Sequence, residues 1–401
     1  MLLSLKFLKG LELNLKLRSV IGTIPFYLTR ENTPIPKFVP CISTKLKWQW
    51  SKMSITSVLV GLLWYQVLKA RSTERLITTL ESGMIVFSVT IFLLINCVYL
   101  KRNEFLIKLF NSFIQYEHSQ SLQFTGIISK REKIVTNYIQ LNGFMAAPVI
   151  ATTYLAQRWI NPCTSATLAW NYLEECFDKN RFENGYWSFK SYTYLVIMVL
   201  ILWWILADLL VTFAFQAAEI MYLQSACLVG YVKHFKEQLK ISAVTSPKVI
   251  LKYRQLQILT KYYNWIQQDA IIALMLTLVI CLTVVSSYVI IKMGSHVSPT
   301  HFLFFWCALV DALAAIIVIY GEFASLHTQS RLVLTMFRSQ VIPTLTAAKF
   351  SSFKQKLIRK YVATFYPLNV QLGSVNFVDK MTPIVLLQFC VEQLANLLLL
   401  E

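Results

Sequence analysis

The chain has 401 residues, a net charge of +18 and a mean hydropathy of +0.53, with 56% of its residues apolar and 14% charged. Soluble domains carry about 25% charged residues, so a single aqueous globule of this size is excluded. The apolar residues fall in long blocks almost free of charge, as bilayer-spanning helices require, and the basic residues lie between the blocks, which points to topology and anionic headgroups and away from nucleic acid.

Residues 1–52 read as a cytoplasmic N-terminal segment. Lys6, Lys9, Glu12 and Lys16 interrupt every early apolar run and no small-residue cleavage site follows, so a signal peptide is not expected. An amphipathic surface helix and a frayed tail are the two readings of its first turns. Seven apolar segments follow, at 53–68, 83–100, 134–157, 192–215, 270–291, 302–324 and 382–400. Each is near the ~20 residues needed to cross the hydrocarbon core, and Gly143 and Pro148 predict a kink in the third.

Of the 38 Lys and Arg residues, 30 lie before span one and in the loops after spans two, four and six, against 8 in the other three loops. The positive-inside rule therefore places the N-terminus and the even-numbered loops in the cytoplasm. Seven spans then leave the C-terminus outside, the reverse of a G-protein-coupled receptor. The expected fold class is all-α, a polytopic membrane protein with seven transmembrane helices.

The outer loop 158–190 carries Glu174, Glu175, Asp178 and Glu183, and its Cys163 and Cys176 form the candidate disulfide on the oxidising side. The inner loops read as helical. Residues 222–239 and 249–265 keep a helical apolar pattern, the second through Leu251, Leu256, Ile258, Leu259 and Tyr262, and Phe353, Leu357, Tyr361 and Phe365 recur at i, i+4. Spans four, five and six are expected to continue into the cytoplasm as long helices forming a packed bundle. Surface-lying amphipathic helices are the alternative.

Four carboxylates fall inside the spans: Asp208, Asp311, Glu322 and Glu392. Each costs about 2.5–3.5 kcal/mol on insertion scales and needs a reason to be there. For Asp208 that reason reads as a buried hydrogen bond. Asp311 is either structural or lines a cavity open to the outside. Aromatic residues gather near the outer ends of the spans, as an interfacial belt or as pocket walls. From these the candidate ligand residues are Thr152, Tyr154, Gln157, Tyr194, Tyr288, Phe305, Trp306 and Asp311. No phosphate-binding loop, dinucleotide fingerprint, nucleophile elbow or metal-ligand spacing is present, so neither an enzyme nor a cofactor or metal is expected.

The last span opens Met-Thr-Pro-Ile-Val-Leu-Leu-Gln-Phe, residues 381–389. This resembles the C-terminal signature of arthropod gustatory receptors, Thr-Tyr followed by five apolar residues and Gln-Phe. Gln388 and Phe389 match it, whereas Met381 and Thr382 stand at the Thr-Tyr positions and Pro383 follows. Gly22 and Pro25 resemble the Gly-x-x-Pro stretch that the family carries ahead of its first span, and the layout agrees. The family is sister to the insect odorant receptors, which share that layout.

The resemblance implies a plasma-membrane, tetrameric, ligand-gated cation channel that detects a small-molecule tastant. Residues 53–325 would hold spans one to six and an outer pocket, 326–381 a cytoplasmic helical anchor, and 382–401 the pore-lining helix. Gln388 and Phe389 would form the constriction. Glu392, one turn further out, would form an acidic ring or be an interfacial residue. Partners would be membrane lipids and related subunits in a homo- or hetero-tetramer, with no nucleic acid. An odorant receptor is the alternative, as is a G-protein-coupled receptor, although Asp-Arg-Tyr at the inner end of span three and Asn-Pro-x-x-Tyr in span seven are absent.

Overall fold

The computed structural model of the chain describes residues 26–29, 37–40, 43–70, 76–120, 227–241, 248–295, 299–341, 352–373 and 376–399, with 193, 196, 197, 200 and 343 besides. Spans three and four fall almost wholly outside the described residues, as do Asp208, Cys163 and Cys176.

Helices dominate. A two-stranded antiparallel ribbon, β1 (Phe26–Thr29) and β2 (Lys37–Pro40), precedes α1 (Ser43–Ala70), α2 (Leu76–Lys101) and α3 (Asn103–Gln120). Then come α4 (Val229–Ile241), α5 (Lys248–Gln267) and α6 (Ile271–Met293). A long sixth rod runs through α7 (Pro299–Ala314), a π-helical turn (Ala315–Ile319), α8 (Tyr320–Met336) and a second π-helical turn (Phe337–Val341). It is followed by α9 (Ser352–Ala363), the short ribbon β3 (Gln371–Leu372) and β4 (Asn376–Phe377), and α10 (Thr382–Leu399).

Four stretches are long and apolar enough to cross a bilayer among the described residues: Thr79–Lys101, Ile271–Met293, Phe302–Ser339 and Thr382–Leu399. They correspond to predicted spans two, five, six and seven. The 23 residues of α6 reach about 34 Å at 1.5 Å per residue, past the ~30 Å of hydrocarbon. Predicted span one lies inside α1, whose outer face bears Ile55, Val58, Leu62 and Tyr65.

The basic segments between spans pack together. Asn111 on α3 treats Phe38 as a strand partner: its Oδ1 accepts the Phe38 N–H at 2.9 Å and its Nδ2 donates to the Phe38 carbonyl at 3.0 Å. The Phe38 ring stacks on Phe110 at 4.7 Å. Phe105 of α3 meets Trp265 of α5 edge-on at 4.1 Å. A ring cluster of Phe235, Tyr253, Phe337 and Phe365, with centroids 4.9–6.0 Å apart, joins α4, α5, the second π-turn and the chain after α9. The N-terminal ribbon and the segments after spans two, four and six thus form one layer on one side of the spanning helices.

The expected continuous helix through span five is interrupted. A turn at 268–270 separates α5 from α6. Its cause is Arg102, whose guanidinium donates to the carbonyls of Trp265 (2.7 Å) and Ile266 (2.8 Å) and pairs with Asp269 at 2.8 Å. Helix ends leave carbonyls without intrahelical partners, and a cation there both bonds them and suits the dipole.

Candidate functional site

The described residues 364–373 and 376–380 lead to α10, and the first of these segments is held from outside by side chains. Tyr253 Oη and Gln257 Nε2 both donate to the Tyr366 carbonyl, at 3.0 and 3.2 Å. Burial pushes the Tyr253 hydroxyl ionisation upward, so it remains a proton donor. Asn264 donates to the Asn369 carbonyl at 2.8 Å and accepts the Gln371 N–H at 3.2 Å. Ser330 bonds both the N–H and the carbonyl of Leu368. Gly373, at φ +65°, makes the left-handed turn between β3 and β4, and its N–H reaches the Gln268 carbonyl at 3.0 Å.

Asp379 then starts α10. Its Oδ1 accepts the N–H of Met381 (3.0 Å), the N–H of Thr382 (2.9 Å) and the Thr382 hydroxyl (2.8 Å), while the Thr382 oxygen accepts the Asp379 N–H at 2.9 Å. Pro383 sits in the first turn, where a missing N–H removes no helical bond. The Thr382 hydrogen bond, with the two backbone bonds, holds the Asp379 carboxyl below its ordinary range. A depressed carboxylate stabilises above its unfolded pKa, about 3.9, and the contribution fades as pH falls through the lowered folded value. Asp379→Ala is expected to cost about 1 kcal/mol. Hydrogen–deuterium exchange at residues 381–385 checks it, faster exchange in the variant being the expected result and an unchanged rate the opposing one.

Along α10 one face belongs to the chain and the other does not. Leu386 and Cys390 are buried against α6, where the Cys390 thiol bonds Thr283. The opposite face carries Ile384, Val385, Phe389 and Val391, and between them Gln388, Glu392 and Asn396 at four-residue intervals, all exposed. Only 11% of the spanning window of α10 is buried within the chain, against 56% for Thr79–Lys101. Gln388 Nε2 donates to Glu392 Oε1 at 2.9 Å.

A second, separate cluster lies in the half of the spans remote from the basic layer. Met84 of α2, Val289 of α6 and Phe305 of α7 are buried together, with Leu80, Val285, Tyr288, Phe304 and Ala308 packed around them. Ser286, one turn from Val289 on the same face, has no exposure, and its hydroxyl has no partner among the described residues. Ser82 of α2 is also buried with no partner among the described residues, but two residues from Met84 it lies on the other side of that helix. An unsatisfied buried hydroxyl costs about 1–3 kcal/mol, so such a group is disposed to bond an incoming molecule.

Of the sequence candidates, Tyr288 and Phe305 come together here. Trp306 and Asp311 are exposed on the outer surface of the chain. Thr152, Tyr154, Gln157 and Tyr194 lie outside the described residues. Ser82, Ser286 and Asn396 were not singled out by sequence reasoning, yet each is a polar residue inside or at the edge of an apolar run, which is the signal that marks them. Among the described residues no group of three or more His, Cys, Asp or Glu could hold a metal ion.

No protein-family model and no curated protein matches the chain. Solved structures do. The insect olfactory receptor OR5 from Machilis hrabei superposes with a TM-score of 0.65 at 12% identity, over 99% of this chain and 98% of that one. The same receptor in complex with eugenol gives 0.65 at 13% identity over the same shares. The likeness is one of fold: this chain is an all-α, seven-helix membrane protein built like an insect olfactory receptor.

Proposed function

We propose that this chain is an insect-type chemosensory receptor of the gustatory branch that works as a ligand-gated cation channel in the plasma membrane. The observation that carries the reading is the free face of α10. Polar residues within a membrane helix face the bundle interior or water. Gln388, Glu392 and Asn396 face away from their own bundle, on a helix otherwise apolar enough to span. Several copies arranged about an axis would turn these faces toward one another around water. Phe389 would then close the path by dewetting, and the Gln388 amides beside it would pass hydrated cations when the ring widens.

The basic layer supports assembly from its own side. Helix α5 buries Leu256 and Leu259 yet exposes Leu251, Ile258, Tyr262 and Trp265. Helix α9 exposes Phe353, Leu357 and Tyr361 while Phe365 after it is buried. Apolar stripes of this size facing water mark association surfaces, and identical subunits in a tetramer would cover them. By the charge asymmetry of the loops, this layer and the N-terminus would lie in the cytoplasm and the C-terminus outside. The Met84–Val289–Phe305 cluster, in the outer half, would be the site for a small apolar molecule that carries one hydrogen-bonding group, which Ser286 would meet.

Gln388 and Phe389 favour the gustatory branch. The odorant branch is the second reading, favoured by the fold neighbours, one of which is a complex with eugenol. Purified protein in liposomes is expected to pass ligand-evoked cation current with no G protein present, and a C-terminal epitope is expected to label on intact cells. Labelling that requires permeabilisation would defeat the proposed orientation.

A further inference from the structure

We propose that Glu392 is the positioning residue that sets ion selectivity at the constriction, by holding the Gln388 amide with its carbonyl oxygen presented to the conduction path. The inference rests on the pore reading above. Gln388 Nε2 donates to Glu392 Oε1 at 2.9 Å, four residues and therefore about 6 Å along the helix axis. A carboxylate has lone pairs and no proton, so it only accepts. The amide has one end of each kind, and it must turn the NH2 end toward Glu392. Its carbonyl oxygen, about 120° round the amide carbon, is left directed away from the carboxylate, as an acceptor on the free face. Both side chains are exposed there.

The consequence is electrostatic. In each subunit the pair offers a carbonyl oxygen and the second carboxylate oxygen to whatever moves along the face. Hard cations take such oxygen donors, and anions are repelled by them. Among the described residues, the helices packed on α10 bring little charge to this level. Helix α6 has no charged residue between Ile271 and Ile291, and the π-turn Ala315–Ile319 that also touches α10 has none. On α8 the charges are Glu322, buried at the inner end of the span, and Arg331, in the basic layer beyond it. Glu392 is thus the charged group that the structure puts in hydrogen-bond contact with the Gln388 amide, and so the one that fixes which end the ion meets.

Two variants separate positioning from charge. Glu392→Gln removes the charge and lets the Gln388 amide take either orientation. Glu392→Asp keeps the charge but shortens the arm that holds the amide. In a tenfold sodium chloride gradient, the cation-to-anion permeability ratio read from the reversal potential is expected to fall by about fivefold or more in Glu392→Gln, the scale of removing a unit charge a few ångströms from the ion path. It is expected to fall in Glu392→Asp as well. A ratio equal to wild type in Glu392→Gln overturns the inference, and so does a loss confined to Glu392→Gln, because charge alone would then suffice. Wild-type protein without ligand-evoked current would overturn the pore reading itself, and this inference with it.

Discussion

On the proposed pore reading, cells expressing the Phe389→Ala variant are expected to carry about tenfold more current in the absence of any ligand than cells expressing wild type at equal surface density. Phe389 is 43% exposed and its ring lies on the free face of α10 beside Gln388. A ring of such side chains excludes water from a narrow path, and ions do not cross a dry constriction. Alanine removes six ring carbons per subunit and would admit water, so the proposed closed state would lose its barrier. A tenfold change corresponds to about 1.4 kcal/mol, modest for the loss of an aromatic ring from every subunit. The face of the helix decides the sign. Leu386, one turn earlier on the buried face, packs against α6, so alanine there would loosen the subunit without widening the path. Whole-cell current before ligand, normalised to surface epitope, measures the effect, and a leak indistinguishable from wild type would remove Phe389 from the gate.

The four strongest spans were legible because each is a long apolar run, and length with hydropathy is nearly all the bilayer asks of a helix. The helices of the basic layer were legible too: the 249–265 and 353–365 patterns correspond to α5 and α9. What periodicity could not supply was phase. A helix that is apolar all round has no hydrophobic face to read, so neighbours such as Phe305 and Trp306 look alike in sequence. In the structure the first has no exposure and the second is 46% exposed. The same ambiguity hid the second apolar face of α5, where Leu256 turns inward and Ile258 outward. Other features depend on partners far along the chain. Arg102 ends α5 from more than 160 residues away, and Asn264 grips a segment more than 100 residues on. No local pattern announces such pairs, because an exposed arginine and a clamping one have the same neighbours in sequence. At the candidate site, Gln388 and Phe389 were reached through a signature and Glu392 through its cost in a bilayer. That all three share one free face with Asn396 required the fold.

Phe337→Ala is expected to destabilise the basic layer by about 3–5 kcal/mol, the range for deleting a buried aromatic ring. Phe337 has no exposure and packs its ring on Phe235 at 5.7 Å, Tyr253 at 5.8 Å and Phe365 at 5.8 Å. These three come from α4, α5 and the segment that leads to α10, so one ring is the keystone between three parts of the chain. It also lies in the π-turn Phe337–Val341, where the sixth rod ends and local helical bonds are least regular, so neighbouring backbone is poorly placed to collapse into the gap. Water surrounds this layer, and the hydrophobic effect applies in full there, unlike in the spans, where lipid is as apolar as the core. A loss of this size is a large part of the 5–15 kcal/mol that holds a typical domain together. Phe353→Ala serves as the comparison, since that ring is 75% exposed. In detergent-solubilised protein Phe337→Ala is expected to lower the unfolding temperature by several degrees and to speed backbone hydrogen exchange at Gln371, whose N–H donates to Asn264 of α5. Phe353→Ala is expected to leave both readouts near wild type and to weaken association of subunits. Equal unfolding temperatures for Phe337→Ala and wild type would mean that the four-ring cluster does not hold the layer together.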